Sequence, residues 1–218
     1  MVKLQRFLGL GILLFMLSAC AGERFAADQL PWVGDAPVLF KDDFSSQEAG
    51  WKTLEDSLSF IGYEDGGFRL MTSVPNYQFW SVPGLNFKDV QVYVQAQKIG
   101  GPDNNLFGVI CRYQNPENFY AFLIGSDGYY GIFKMEKGQL GLIDQAHMSF
   151  DQAIHRGEAT NELMAICEGD RLALLVNDHR LLQVQDDTLG FGDVGLLAGS
   201  LTSGGIDVLF DNLIVLKR

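Results

Sequence analysis

Residues 104–134, NNLFGVICRYQNPENFYAFLIGSDGYYGIFK, constrain the fold more than any other stretch of this chain. They predict three antiparallel strands in succession, at 107–113, 118–124 and 129–134. Gln-Asn-Pro-Glu joins the first pair and Ser126-Asp127-Gly128 the second. Asp-Gly between two β-rich runs is a strong hairpin signal, because a tight turn needs positive φ where Gly, Asn and Asp sit at little cost. Polar and aromatic side chains fall among the apolar ones, as in a sheet packed on one face and open on the other.

The flanking sequence repeats the theme. Over 90–96, Val90, Val92, Val94 and Ala96 alternate with Gln91, Tyr93 and Gln95, the period of a half-buried strand. Further strands are expected at 68–72, 162–167, 171–176, 180–185, 194–200 and 206–216. Residues 139–160 lack a clear period and suit a loop or a short helix. Roughly ten or more short strands, spaced about 8–12 residues apart with no long helical pattern, specify a sandwich or a barrel. The 218 residues, 47% hydrophobic with 25 glycines, suffice for one domain with a substantial core.

The first 19 residues read as a signal peptide. A basic start (Lys3, Arg6) precedes an apolar run from Phe7 to Leu17, too short to span a bilayer, which needs about 20 residues. Leu17-Ser18-Ala19-Cys20 then resembles the bacterial lipobox, in which cleavage precedes a lipidated cysteine. The expected product is a protein anchored through Cys20 on the extracytoplasmic face of the cell envelope. Two thioether-borne acyl chains suffice for stable membrane attachment. Residues 20–37 are expected to form a tether, broken by Pro31, Gly34 and Pro37, with the domain over 38–218. Loss of Lys3 and Arg6 takes the formal charge from −11 to −13. Such a surface repels phosphate backbones, so nucleic acid is not an expected partner.

The order of several motifs resembles the concanavalin A-like jelly-roll superfamily, which includes laminin-G-type domains, legume lectins and bacterial β-glucanases. The motifs are the entry F-x-D-D-F-S…W (Phe40 to Trp51), the central run above, the hairpin LALLVNDHRLLQV and the exit GDVGLLAGS…DVLFDNLIV. Within that group the 3-keto-disaccharide hydrolase-type domains carry a similar Asn-x-Gly-hydrophobic-Arg strand, loosely echoed from Asn105 to Arg112. The resemblance implies an all-β, antiparallel jelly-roll β-sandwich. It also implies pairing of the first and last strands, with a structural Ca²⁺ between the entry and exit segments and Asp43 or Asp211 as ligand. Ca²⁺ takes 6–8 oxygens, many from backbone carbonyls, so two aspartates can suffice. The alternative is that these aspartates cap turns.

Few residues point to catalysis. The one-strand Glu-x-Asp-x-x-Glu pattern by which β-glucanases present their carboxylates is absent, and His147, His155 and His179 lack metal-ligand spacing. Cys111 and Cys167 remain once Cys20 is lipidated, both within expected strands and in an oxidising compartment. A disulfide between them is the expectation; two separately buried thiols are the alternative. If that disulfide is in the core, alternation puts Arg112 on the opposite, open face. Tyr120, Tyr130, Lys134, Tyr93 and Gln95 are candidates for the same face, as a platform for a saccharide: aromatic rings stack on sugars, and Arg and Gln bind hydroxyls. The function expected is non-catalytic glycan binding by an envelope-anchored sandwich. The alternatives are a sugar-active hydrolase of the 3-keto-disaccharide type, and a protein-binding adhesion or scaffold module.

Overall fold

The structure is a computed structural model that describes residues 36–201 and 204–218. Cys20, the signal segment and nearly all of the expected tether lie outside those residues. The domain opens with β1 (Val38–Asp42), β2 (Leu54–Glu55), β3 (Ser59–Glu64), β4 (Gly67–Thr72) and β5 (Gln78–Ser81). Two long strands follow, β6 (Val90–Gly100) and β7 (Asn105–Asn115), then β8 (Asn118–Ile124), β9 (Tyr129–Glu136), β10 (Gln139–Leu142) and β11 (Ser149–Phe150). The chain closes with β12 (Thr160–Glu168), β13 (Arg171–Val176), β14 (His179–Gln185), β15 (Asp193–Ser200) and β16 (Ile206–Lys217). The stretch 139–160 is thus turns and two short strands, with no helix.

These strands form two antiparallel sheets. The nine-stranded sheet runs β14-β13-β12-β6-β16-β4-β3-β2, with β1 also paired to β16; the seven-stranded sheet runs β10-β9-β8-β7-β15-β5, with β11 on β9. The fold is an all-β, jelly-roll-type sandwich. Period-2 alternation produces the layer between the sheets: Val90, Val92, Val94 and Ala96 of β6 meet Phe107, Val109 and Cys111 of β7 and Tyr120, Phe122 and Ile124 of β8. Burying each large apolar side chain there contributes about 1.5–3 kcal/mol. Cys111 and Cys167 are bonded across this layer, linking β7 of one sheet to β12 of the other, with Cα atoms 7.0 Å apart. That spacing lies just above the usual 4.4–6.8 Å range.

The outward side of the seven-stranded sheet is apolar too. Ile110, Phe119, Ala121, Leu123 and Leu197 form a second buried cluster there, flanked by Trp80 and Tyr113. The central strands therefore bury both faces, whereas their sequence suggested one packed and one open.

The entry motif has a structural reason. Asp42 accepts the backbone N–H of Phe44 and the indole N–H of Trp51, each at 2.8 Å. Trp51 and Phe44 then pack with Phe68 at ring separations of 5.2–5.5 Å. One carboxylate thereby fixes a turn and seats an aromatic cluster at the sandwich end. The Ser-Asp-Gly connection is also as chemistry requires: Gly128 has φ +98, and a Cβ there would meet the Phe150 ring.

Candidate functional site

The six residues expected on one open face are divided among three places. Arg112 is not on an open face; it is 2% exposed. The alternation that put it there fails because Arg112 itself is a bulge residue, with φ +53, where the β7–β8 register slips between Cys111 and Asn115. The extra residue turns the side chain into the end of the sandwich. There its guanidinium donates to the Leu189 carbonyl at 2.8 Å and the Lys88 carbonyl at 3.3 Å, with Asp89 Oδ1 at 3.4 Å. Asp89 Oδ1 also accepts the Gly169 N–H at 2.8 Å. Arg112 thus ties three connections together.

Tyr120, Tyr130 and Lys134 share the inner face of the seven-stranded sheet. The registers require it: Tyr120 pairs directly with Cys111 on one side and with Lys134 on the other. The Tyr120 and Tyr130 rings belong to the core, and the Tyr130 hydroxyl donates to the Leu181 carbonyl at 3.1 Å. Lys134 reaches the rim, with Nζ 2.8 Å from Asp186 Oδ2 and 2.9 Å from Thr188 Oγ1. Burial alone would raise the Asp186 pKa. The hydrogen bonds from Lys134, Tyr120 and Thr188 outweigh it and hold the carboxyl at about 2. This is a latch between a sheet and the 186–189 connection, with its polar groups satisfied internally.

Tyr93 and Gln95 lie elsewhere, on the outward face of the nine-stranded sheet, where alternation placed them opposite the valines. Tyr93 borders a cavity of about 350 Å³ lined also by Gln91, Glu162, Met164, Ile166, Leu175, Asp178 and Arg218, and Gln95 touches it only through its partner Glu162. Strand pairing builds its floor: Ile166 lies beside Gln91 and Met164 beside Tyr93 across β6 and β12, and Leu175 follows on β13. Glu162, opposite Gln95, holds one side; it accepts the Gln95 Nε2–H at 3.3 Å. Asp178 comes from the β13–β14 turn, where it takes φ +67. Gln95 is fixed from behind by Asn212, which donates to its Oε1 at 2.8 Å. Burial, then the charge and hydrogen bond of Glu162 and the charge of Asp178, push the Tyr93 phenol above its ordinary range.

Gln91 is the unusual member. It is 3% exposed, and its Nε2 has no hydrogen-bond partner. A buried amide donor left unmade costs about 1–3 kcal/mol, which an acceptor placed in the cavity would recover. Sequence reasoning named Tyr93 and Gln95 but missed Gln91, although the same alternation marks it. Glu162, Met164, Asp178 and Arg218 had no signal of their own, since only the sheet order brings them to β6.

At the entry and exit segments, Asp42 is occupied by Phe44 and Trp51, and Asp43 Oδ1 accepts the backbone and hydroxyl hydrogens of Ser45. Asp211 accepts the Asn212 N–H at 2.7 Å. Its pKa is raised, first by burial and then by the charges of Asp43 and Asp42. Among the described residues no three His, Cys, Asp or Glu side chains group as metal ligands. Asp42 and Asp43 cap the turn after β1, whereas Asp211 lies within β16. Any cation would have to draw its remaining ligands from backbone carbonyls.

No known family model and no curated protein matches the sequence. Solved structures do resemble it. A carbohydrate-binding module, CBM66, from Bacillus subtilis superposes with a TM-score of 0.63 at 16% identity, over 77% of this chain and 96% of the module. A B. subtilis protein of unknown function with a galectin-like fold gives 0.58 at 12% identity, over 84% and 96%. A GH16 protein of a Bacteroides ovatus mixed-linkage glucan locus, solved with a G4G4G3G product, gives 0.58 at 11% identity, over 82% and 100%. These likenesses establish the sandwich fold. At such identities they carry no residue-level assignment.

Proposed function

We propose that this protein is a glycan-binding module held at the cell envelope, and that its binding site is the cavity around Tyr93 rather than the surroundings of Arg112. The observation that carries the reading is the cavity itself: an apolar floor, an aromatic side chain, two carboxylates and a buried amide donor with no partner, in the volume of a small ligand. The neighbouring structures, among them a carbohydrate-binding module and a product-bound glycoside hydrolase, favour a saccharide as that ligand. Binding without cleavage fits a sequence without the glucanase carboxylate strand. Affinity per site is expected on the order of 0.1–1 mM, raised in the membrane by avidity.

The test is a glycan array probed with the whole protein in detergent. Met164→Arg, which fills the cavity floor, is expected to abolish binding while shifting Tm by only a few degrees. Persistence of binding in this variant would move the site elsewhere, and silence across the array would end the glycan reading.

Two accompanying proposals concern anchoring and metal. Cys20 is the lipidated mature terminus; a mature N-terminus found by mass spectrometry at any other residue overturns this. A structural Ca²⁺ shared by Asp43 and Asp211 would relieve the repulsion that raises Asp211. Binding the folded state alone, it would raise Tm with free Ca²⁺. Identical melting curves in chelator and in millimolar-scale Ca²⁺ exclude it.

A further inference from the structure

Among the described residues, neither Glu162 nor Asp178 is paired with a Lys or Arg. Both line the same cavity, in which Arg218 is the one lining cation, and Arg218 forms no ion pair with either. Glu162 takes the long Gln95 amide contact on Oε1 and a hydrogen bond from the Tyr93 hydroxyl, and a carboxylate with about four lone-pair sites keeps acceptor capacity for a ligand beyond these two. Opposite these acceptors stands a lone buried donor, Gln91 Nε2. The floor of Met164, Ile166 and Leu175 offers no competing polar group. A matching ligand therefore needs a cationic donor facing Glu162 and Asp178, a hydroxyl or ether oxygen facing Gln91, and an apolar face for the floor. Carboxylated and sulfated sugars meet two unpaired like charges and are disfavoured.

Building on the glycan reading, we infer that this cavity selects a sugar carrying a free ammonium group, an amino sugar, over its N-acetylated or anionic counterparts. A charged N–H···carboxylate contact is shorter and about twice as strong as a neutral one, so a free amine outcompetes an amide at the same carbon. An acetamido group replaces the ammonium with a bulkier neutral donor and forfeits that contact.

The experiment measures binding of glucosamine oligomers and N-acetylglucosamine oligomers of equal length to the whole protein in detergent, at constant ionic strength and at a pH where the amine is charged. The expected result is at least about tenfold tighter binding of the free-amine series, the loss of one charge-assisted contact. Asp178→Asn should reduce that preference several-fold without unfolding the domain, because Asn takes positive φ as readily as Asp. Glu162→Gln should reduce it further. Glu117→Gln, in the β7–β8 turn of the other sheet, should leave it unchanged. Equal or tighter binding of the N-acetylated series, sensitive to Met164→Arg, would overturn the amino-sugar inference and leave the glycan reading standing. Free-amine binding that ignores both carboxylate variants would overturn it as general attraction to an acidic surface. Failure of every oligomer to bind, with the glycan array also silent, removes both readings.

Discussion

Arg112→Ala should destabilise the domain by about 3–5 kcal/mol, lowering Tm by roughly 10 °C. The side chain lies in the end of the sandwich, where it donates to the Leu189 and Lys88 carbonyls and approaches Asp89. Removing the guanidinium strips a buried carbonyl of its donor and leaves Asp89 with only the Gly169 N–H and its solvent contacts. The connections carrying Lys88, Gly169 and Leu189 then lose the group they share. Arg112→Met separates packing from polarity. It keeps most of the aliphatic volume and should recover only a minor part of the loss, because the unmet hydrogen bonds dominate. Thermal melts of the three proteins decide the matter. A near-native Tm for Arg112→Ala would mean that the backbone carbonyls find water easily, and that the arginine does not hold this end together.

Reduction of the Cys111–Cys167 disulfide, or its replacement by paired Cys→Ala substitutions, should cost about 4 kcal/mol. The bridge closes a loop with a sequence separation of 56 and joins the two sheets through the middle of the core. Its contribution is mainly to the unfolded chain, whose freedom it restricts, so the folded arrangement should persist in the reduced protein with a lower denaturant midpoint. The measurement is urea unfolding with and without reductant. Coincident midpoints would sink the prediction, and a changed slope would show that the unfolded ensemble had altered its compactness.

The sequence by itself determined the all-β class and most of the strands. Those assignments depend on period-2 alternation and turn chemistry, which are local, and 90–96 illustrates it: valines in, Gln91, Tyr93 and Gln95 out. The disulfide was legible too as an expectation, with two separately buried thiols as the alternative, since both cysteines fall within alternating strands. Tertiary structure decided everything that depends on register. Tyr120 shares the face of Cys111 because β8 pairs it directly opposite. Arg112 left its expected face because a single bulge residue at positive φ reversed the local alternation, and no composition signal marks such a residue in advance. The second apolar cluster, on the outward side of the seven-stranded sheet, likewise overrode the expectation of an open polar face there. The cavity at Tyr93 needed β12 beside β6, the β13–β14 turn at its edge and Arg218, just past the end of β16, close by. Those neighbours are some 70–125 positions away in the chain, and hydrogen-bonded sheet order, not sequence distance, brings their side chains together.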